Sequence, residues 1–220
     1  MSKKYYAVVK GKKPGIFETW KECESNVKGF KGAIYKSFFS YEEAKQYLDS
    51  NNSSDEIRND NELKKVIEAD TLNGIVSIFV DGSYNKFLQQ IGYGILIINS
   101  SNKNDWIKIN NKLTEKEFNE YKKHLNISGE IIGTLEAIKY CVNHNLNKIK
   151  IYYDYEGIEK WANNSWDAKT PISLMYKQSL SQLLKSFNIS LMFQKVKAHS
   201  DIEYNDIADS LAKQSVGIKS

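Results

Sequence analysis

Apolar and polar positions along the chain fall into two blocks with a polar stretch between them. In the first block "YYAVV" (5–9) alternates as a short strand, and "GKKPGIF" reads as a turn followed by a strand around Ile16–Phe17. Thr19 can cap a helix running through "WKECESNVKGF". "GAIYKSF" (32–38) predicts a third strand. Ser40 can then cap a helix over "YEEAKQYLDS", with apolar positions at Tyr41, Ala44, Tyr47 and Leu48. Residues 1–49 therefore predict a small α/β domain with a three-stranded sheet and two helices, a size that is marginal but can fold alone. Residues 50–73 are rich in Ser, Asn, Asp and Glu and predict a flexible linker, within which "ELKKVIEA" could form a short helix.

From residue 74 to 220 the pattern is that of a larger domain. "VSIFVDGS" and "GYGILIIN" (92–99) predict buried strands, "DWIKINNK" a third, and together they suggest a meander. A polar stretch, "LTEKEFNEYKKHLN", follows. "SGEIIGTLEAIKYCVNHNL" (128–146) has a strong helical period, with Ser128 as its N-cap. "KIKIYYDY" (148–155) is a strand, "EGIEKWAN" and "SLMYKQSLSQLLKSF" are helices, "SLMFQKVKAH" is a last strand and "EYNDIADSLAKQSVG" a closing helix. This order predicts a mixed sheet covered by helices, with ligands beyond the carboxyl ends of its strands.

Composition changes the picture little: 41% hydrophobic and 26% charged residues are ordinary for a globular protein. No apolar run approaches a membrane span and the N-terminus has no signal core, so a cytoplasmic protein is expected. Cys23 and Cys141 lie far apart on predicted helices and read as core residues of a reduced protein. Charge is more informative. Residues 1–50 hold ten Lys and six Asp or Glu, which accounts for the whole net charge of +4. A small basic unit joined to a neutral one suggests a polyanion-binding module. Arg58 is the sole arginine in the sequence, so phosphate contacts would be point-charge contacts by Lys.

Asp81 ends the apolar run "VSIFVD", and Asp154 ends "IKIYYD" in the same way. Glu130 lies in the first turn of the long helix, and Asp209 lies on the closing helix among Ile207, Ala208, Leu211 and Ala212. Each has a bland reading. Asp81 could cap a turn at Gly82, Glu130 could complement a helix dipole, Asp154 could cap the next helix, and Asp209 could pair with Lys213. Taken together they suggest a shared site, because clustered carboxylates need a counter-charge. Oxygen-only ligands suit Mg²⁺ or Mn²⁺, and two such ions are common apparatus for phosphoryl displacement.

"FVDGSYN", "SGEIIGTLEAIKY", "IYYDYEGIEKW" and "VKAHSDIEYNDIADSLAK" resemble the type 1 ribonuclease H family over roughly residues 75–216. "YYAVVKGKKPGIFETWKECESNVKGFKGAIYKSF" resembles the hybrid-binding domain, viroplasmin-like in caulimoviruses, that precedes many of these enzymes. The resemblance implies a ribonuclease H-like mixed five-stranded sheet flanked by helices. It implies an endoribonuclease that cuts the RNA strand of RNA–DNA hybrids with two Mg²⁺ or Mn²⁺ ions, leaving 3′-hydroxyl and 5′-phosphate ends. Asp81, Glu130, Asp154 and Asp209 would be the metal-binding carboxylates. Asp206 competes for the fourth place, but the family spacing from His199 points to Asp209. His199, in a loop after the last strand, would assist water activation or product release, and Asn205 would contact nucleic acid. In the first domain Tyr6, Trp20, Tyr35 and Lys36 would bind nucleic acid, aromatics packing on sugars and amines meeting phosphates. "DYEGI" departs from the family's usual residues after the strand aspartate, so Tyr155 and Glu156 receive no role. A monomer acting on a hybrid substrate is expected. The alternatives are a DNA nuclease of the same fold and a non-catalytic hybrid-binding protein.

Overall fold

The computed structural model describes residues 4–30, 32–52, 60–196 and 203–219. The chain forms two compact units, Met1–Asp55 and Glu56–Ser220. The first contains β1 (Tyr5–Lys10), β2 (Gly15–Phe17), α1 (Trp20–Val27), β3 (Ile34–Phe38) and α2 (Tyr41–Asn52). Its antiparallel sheet has the order β2-β1-β3. Alternation along β1 sends Ala7 to one face, against Ala44 and Tyr47 of α2, and Val8 to the other, against Cys23 and Val27 of α1. The sheet is thus covered on both sides. Thr19 starts α1 through a reciprocal capping box with Glu22.

The second unit contains α3 (Asp60–Leu72), β4 (Val76–Asn85), β5 (Gln90–Ile98), β6 (Ile107–Lys112), α4 (Glu115–Tyr121), α5 (Asn126–Asn143), β7 (Lys148–Tyr153), α6 (Gly157–Ala162), α7 (Pro171–Phe187), β8 (Ser190–Lys195) and α8 (Glu203–Ser215). Its five strands run in the order β6-β5-β4-β7-β8. The β4–β5 and β5–β6 pairs are antiparallel, whereas β4–β7 and β7–β8 are parallel. Val76, Ile78 and Val80 face one core with Ile131, Leu135 and Ile138 of α5 and Tyr176 of α7. Phe79, Leu96 and Tyr152 face another with Leu63 and Ile67 of α3 and Tyr204 and Ala208 of α8. The mixed five-stranded sheet and the smaller three-stranded domain are those expected. No described helix is long and apolar enough to cross a membrane.

Five local features differ from the sequence reading. Residues 60–72, expected within a flexible linker, form a helix docked on the larger sheet. Leu63 and Ile67, one turn apart, are buried there, and the Asp70 carboxylate takes Lys150 at 2.6 Å and the Tyr152 hydroxyl at 2.8 Å. β4 does not end at Asp81 but continues to Asn85, pairing Asp81 with Gly94 and Gly82 with Tyr93. α5 begins at Asn126, after Leu125 in left-handed backbone (φ 48°). Ser128 is therefore inside the helix, where its Oγ donates to the Tyr121 carbonyl at 2.7 Å. Glu130 consequently falls in the second turn. The polar stretch 113–126 contains α4, started by a Thr114–Glu117 capping box. The last strand ends at Lys195, and His199 lies outside the described residues.

Candidate active site

Three elements bring the carboxylates together. In the parallel pair β4–β7, Phe79 lies opposite Tyr152. Continued two residues, the same direction sets Asp81, still inside β4, near Asp154, the residue after the end of β7. Asp81 shares a face of β4 with Phe79, the face on which α8 packs, so Asp209 comes to it from that side. Glu130 comes from α5 on the opposite face.

Glycines permit this approach. A Cβ on Gly82 would lie 2.0 Å from the Asn126 carbonyl oxygen and 2.6 Å from the Glu130 nitrogen. One on Gly129 would lie 2.2 Å from the Gly92 carbonyl oxygen. On the other face, a Cβ on Gly94 would lie 2.2 Å from the Ala208 carbonyl oxygen and 2.4 Å from the Ala212 nitrogen. Any larger residue at these positions would push a carboxylate-bearing helix off the sheet.

The electrostatics follow from this convergence. Burial pushes the Asp81 carboxyl up to about 7. Gly82 N–H, donating at 2.8 Å, opposes the rise, while the charges of Asp209 and Asp154 and a hydrogen bond with Asp209 add to it. Glu130, 4% exposed, is held well above the ordinary carboxylate range, first by burial and then by the charges of Asp154 and Asp81. A hydrogen bond joins Glu130 to Asp154, and the backbone N–H of Tyr155 donates to Glu130. Glu130 Oε1 has no partner among the described residues. A carboxyl–carboxyl hydrogen bond requires a proton on one member, which is how a crowd of like charges relieves itself without a cation.

Asp209 is half-exposed and accepts from Lys213 at 2.6 Å, so the bland pairing read from the sequence also exists. Asp206, its competitor, is exposed on the flank of α8 that borders Glu203, Ser210 and Gln214 and does not act on Asp81. Asn205, four residues before Asp209, is half-buried on α8. Glu156 pairs with Lys195 at 2.7 Å. Among the described residues, no three His, Cys, Asp or Glu side chains are placed so that they could hold a metal ion as they stand.

In the small unit, Tyr6, Trp20 and Tyr35 form a continuous row: ring centroids are 5.7 Å apart for Tyr6–Trp20 and 5.9 Å for Trp20–Tyr35. Trp20 and Tyr35 are 45% and 43% exposed, far more than a core position would allow. Lys36 does not join the row. It shares the α2 face, where its Nζ sits 5.7 Å from the ring centres of both Phe38 and Tyr47. Period-2 alternation after Tyr35 dictates this. Lys21, the residue after Trp20 on α1, is exposed.

A mixed sheet of this order, with acidic residues on β4, just after β7 and on the helices packed against both faces, defines a protein of the ribonuclease H-like fold. The chain belongs to the ribonuclease H family: residues 73–217 match the family described as RNase H, and residues 4–48 match the one described as Ribonuclease H1 N-terminal domain. It is similar to Ribonuclease H1 of Mus musculus, at 21% identity over 96% of this chain and 88% of that protein. A stretch of 50 residues, 23% of this chain and 14% of the yeast protein, is 52% identical to Ribonuclease H of Saccharomyces cerevisiae. The fold is also that of the N-terminal ribonuclease H domain of a Mycobacterium tuberculosis protein, with a TM-score of 0.50 at 17% identity over 64% of this chain and 92% of that one.

Proposed function

We propose that the chain cleaves the RNA strand of RNA–DNA hybrids, leaving 3′-hydroxyl and 5′-phosphate ends, with Asp81, Glu130, Asp154 and Asp209 holding two Mg²⁺ or Mn²⁺ ions. The observation that carries this reading is Glu130: a buried carboxyl with an unpartnered oxygen, surrounded by other carboxylates rather than by a cation. An all-oxygen, acidic donor set with one oxygen left over fits a hard divalent cation. When bound, such ions place positive charge on the reacting phosphate and activate water. The protein's own part is to release the protons held at Asp81 and Glu130 and to keep both groups fixed. The rigid strand and the glycine-seated helix do the latter. Asn205, one helical turn before Asp209, shares its side of α8 and is suited to touch the nucleic acid nearby. His199 is proposed to assist water activation or product release.

The small unit would hold the hybrid. The Tyr6–Trp20–Tyr35 row offers stacking surface, and the surrounding lysines offer charge for phosphates. With Lys36 on the α2 face, phosphates along the row would fall to other lysines, Lys21 among them. Tethering this unit to the catalytic one raises the local concentration of substrate.

Labelled RNA–DNA hybrid, double-stranded DNA and double-stranded RNA incubated with Mg²⁺, Mn²⁺ or chelator test the reading. Cleavage of the hybrid alone, lost with chelator, is expected. Asp81→Asn and Asp154→Asn should each lower the rate at least about a thousandfold while hybrid binding persists. Cleavage of DNA would establish a DNA nuclease instead, and binding without cleavage a non-catalytic protein.

A further inference from the structure

Glu130 is the most deeply buried of the four carboxylates, yet little fixes its orientation. Oε1 meets no donor among the described residues, and the backbone donor facing the group is the N–H of Tyr155. That N–H lies where the chain has left β7 and not yet entered α6, so no strand ladder or helix ladder holds it. The Tyr155 side chain supplies the restraint. A Cβ on Gly157 would fall 2.3 Å from Tyr155 Cε1, 2.7 Å from its Cζ and 2.8 Å from Trp161 Cζ3. The Tyr155 ring therefore rests directly on the α-carbon of Gly157. Trp161 meets it edge to face with centroids 5.8 Å apart, and Trp161 is in turn backed by Trp166 at 6.2 Å and by buried Tyr176 at 6.5 Å. The Tyr176 hydroxyl donates to the Ile158 carbonyl at 2.9 Å, and Ile158 N–H donates to the Tyr155 carbonyl at 3.2 Å. This aromatic wall and its two hydrogen bonds close on the short turn 154–158.

We propose that Tyr155 is a positioning residue for Glu130: its ring, seated on Gly157 and against Trp161, holds the turn after Asp154 so that the residue's own N–H is presented to the Glu130 carboxylate, leaving Oε1 for a divalent cation. The role rests on the reading of the four carboxylates as metal ligands. It assigns a purpose to the Tyr and Gly of "DYEGI", which composition and periodicity leave unexplained. It also makes the ring, not the phenol hydroxyl, the working part. Groups that orient a metal ligand commonly shift metal affinity by about tenfold or more when lost.

The test uses the full chain. Mg²⁺ binding is measured by calorimetric titration, together with the Mg²⁺ dependence of cleavage, KM for the hybrid and thermal stability in chelator. Tyr155→Leu and Gly157→Ala should each raise the Mg²⁺ dissociation constant about tenfold with KM for the hybrid unchanged, and Tyr155→Phe should behave as the parent. Tyr155→Leu leaves Gly157 clear and carries the test if Gly157→Ala does not fold. Unchanged Mg²⁺ binding in Tyr155→Leu, even with a lowered melting temperature, would overturn the positioning role. So would a raised KM at unchanged Mg²⁺ binding, since the ring would then be touching substrate. Glu130→Gln separates the two levels. Loss of Mg²⁺ binding there beside a normal Tyr155→Leu defeats the positioning role alone, whereas unchanged binding in Glu130→Gln defeats the metal-site reading.

Discussion

Asp81 and Glu130 carry protons that an exposed carboxyl would have lost, and this fixes the direction of a pH effect. A folded-state pKa raised above the unfolded value contributes stability below the unfolded value and loses it as pH rises through the folded one. With Asp81 near 7, the metal-free protein should melt at progressively lower temperature between about pH 4 and pH 7. Mg²⁺ should restore more stability at about pH 8 than at about pH 5, and its binding should release protons. Scanning calorimetry with and without Mg²⁺ across that range checks both. At this scale the residue types were legible, because two strands each run apolar up to an aspartate. The use of Gly82 was not. A turn was the natural reading, but Gly82 sits inside a strand and is bare because a helix backbone occupies its side-chain space. Nothing in six local residues reveals a backbone 44 positions away in the sequence, that of Asn126.

α3 was the element least visible in the sequence. Its exposed positions are polar enough to read as linker, and only Leu63 and Ile67 mark a face. In place they pack with Phe79, Tyr152, Tyr204 and Ala208, while the Asp60 carboxylate accepts from Glu203 N–H at the start of α8. Lys64 reaches the Glu203 carboxylate at 3.4 Å. Leu63→Ala should therefore lower stability by about 2–5 kcal/mol, measured by urea denaturation, whereas the same change in a flexible tether would cost almost nothing. Since α8 carries Asp209, loosening α3 should also weaken Mg²⁺ binding. Helix starts were legible where a capping box exists, as at Thr19. α5 starts three residues earlier than expected because Leu125, not Ser128, leads into it, through a positive-φ backbone that no cap motif announces.

At the scale of the molecule, the proposed function divides hybrid binding, on the basic first unit, from chemistry, on the larger unit of balanced charge. Trp20→Ala should raise KM for hybrid about tenfold, equivalent to about 1.4 kcal/mol and in the range expected for one lost stacking contact, and leave kcat at saturating substrate unchanged. The salt dependence should stay the same, because no charge is removed. Steady-state kinetics at two ionic strengths checks this. An altered kcat would mean that Trp20 acts on the chemistry and not only on capture.

Sequence alone determined the two blocks, the order of the strands and of the helices other than α3 and α4, the basic bias of the first fifty residues and the four acidic residue types. These follow from periodicity and composition, which are local properties of the chain. Tertiary structure decided which of Asp206 and Asp209 turns to Asp81, that Lys36 leaves the aromatic row, that residues 60–72 belong to the larger fold, and that Glu130 is buried among other carboxylates with one oxygen unpartnered among the described residues. Each of these depends on how closely one backbone can approach another, a distance set by glycines and side-chain packing between elements remote in sequence.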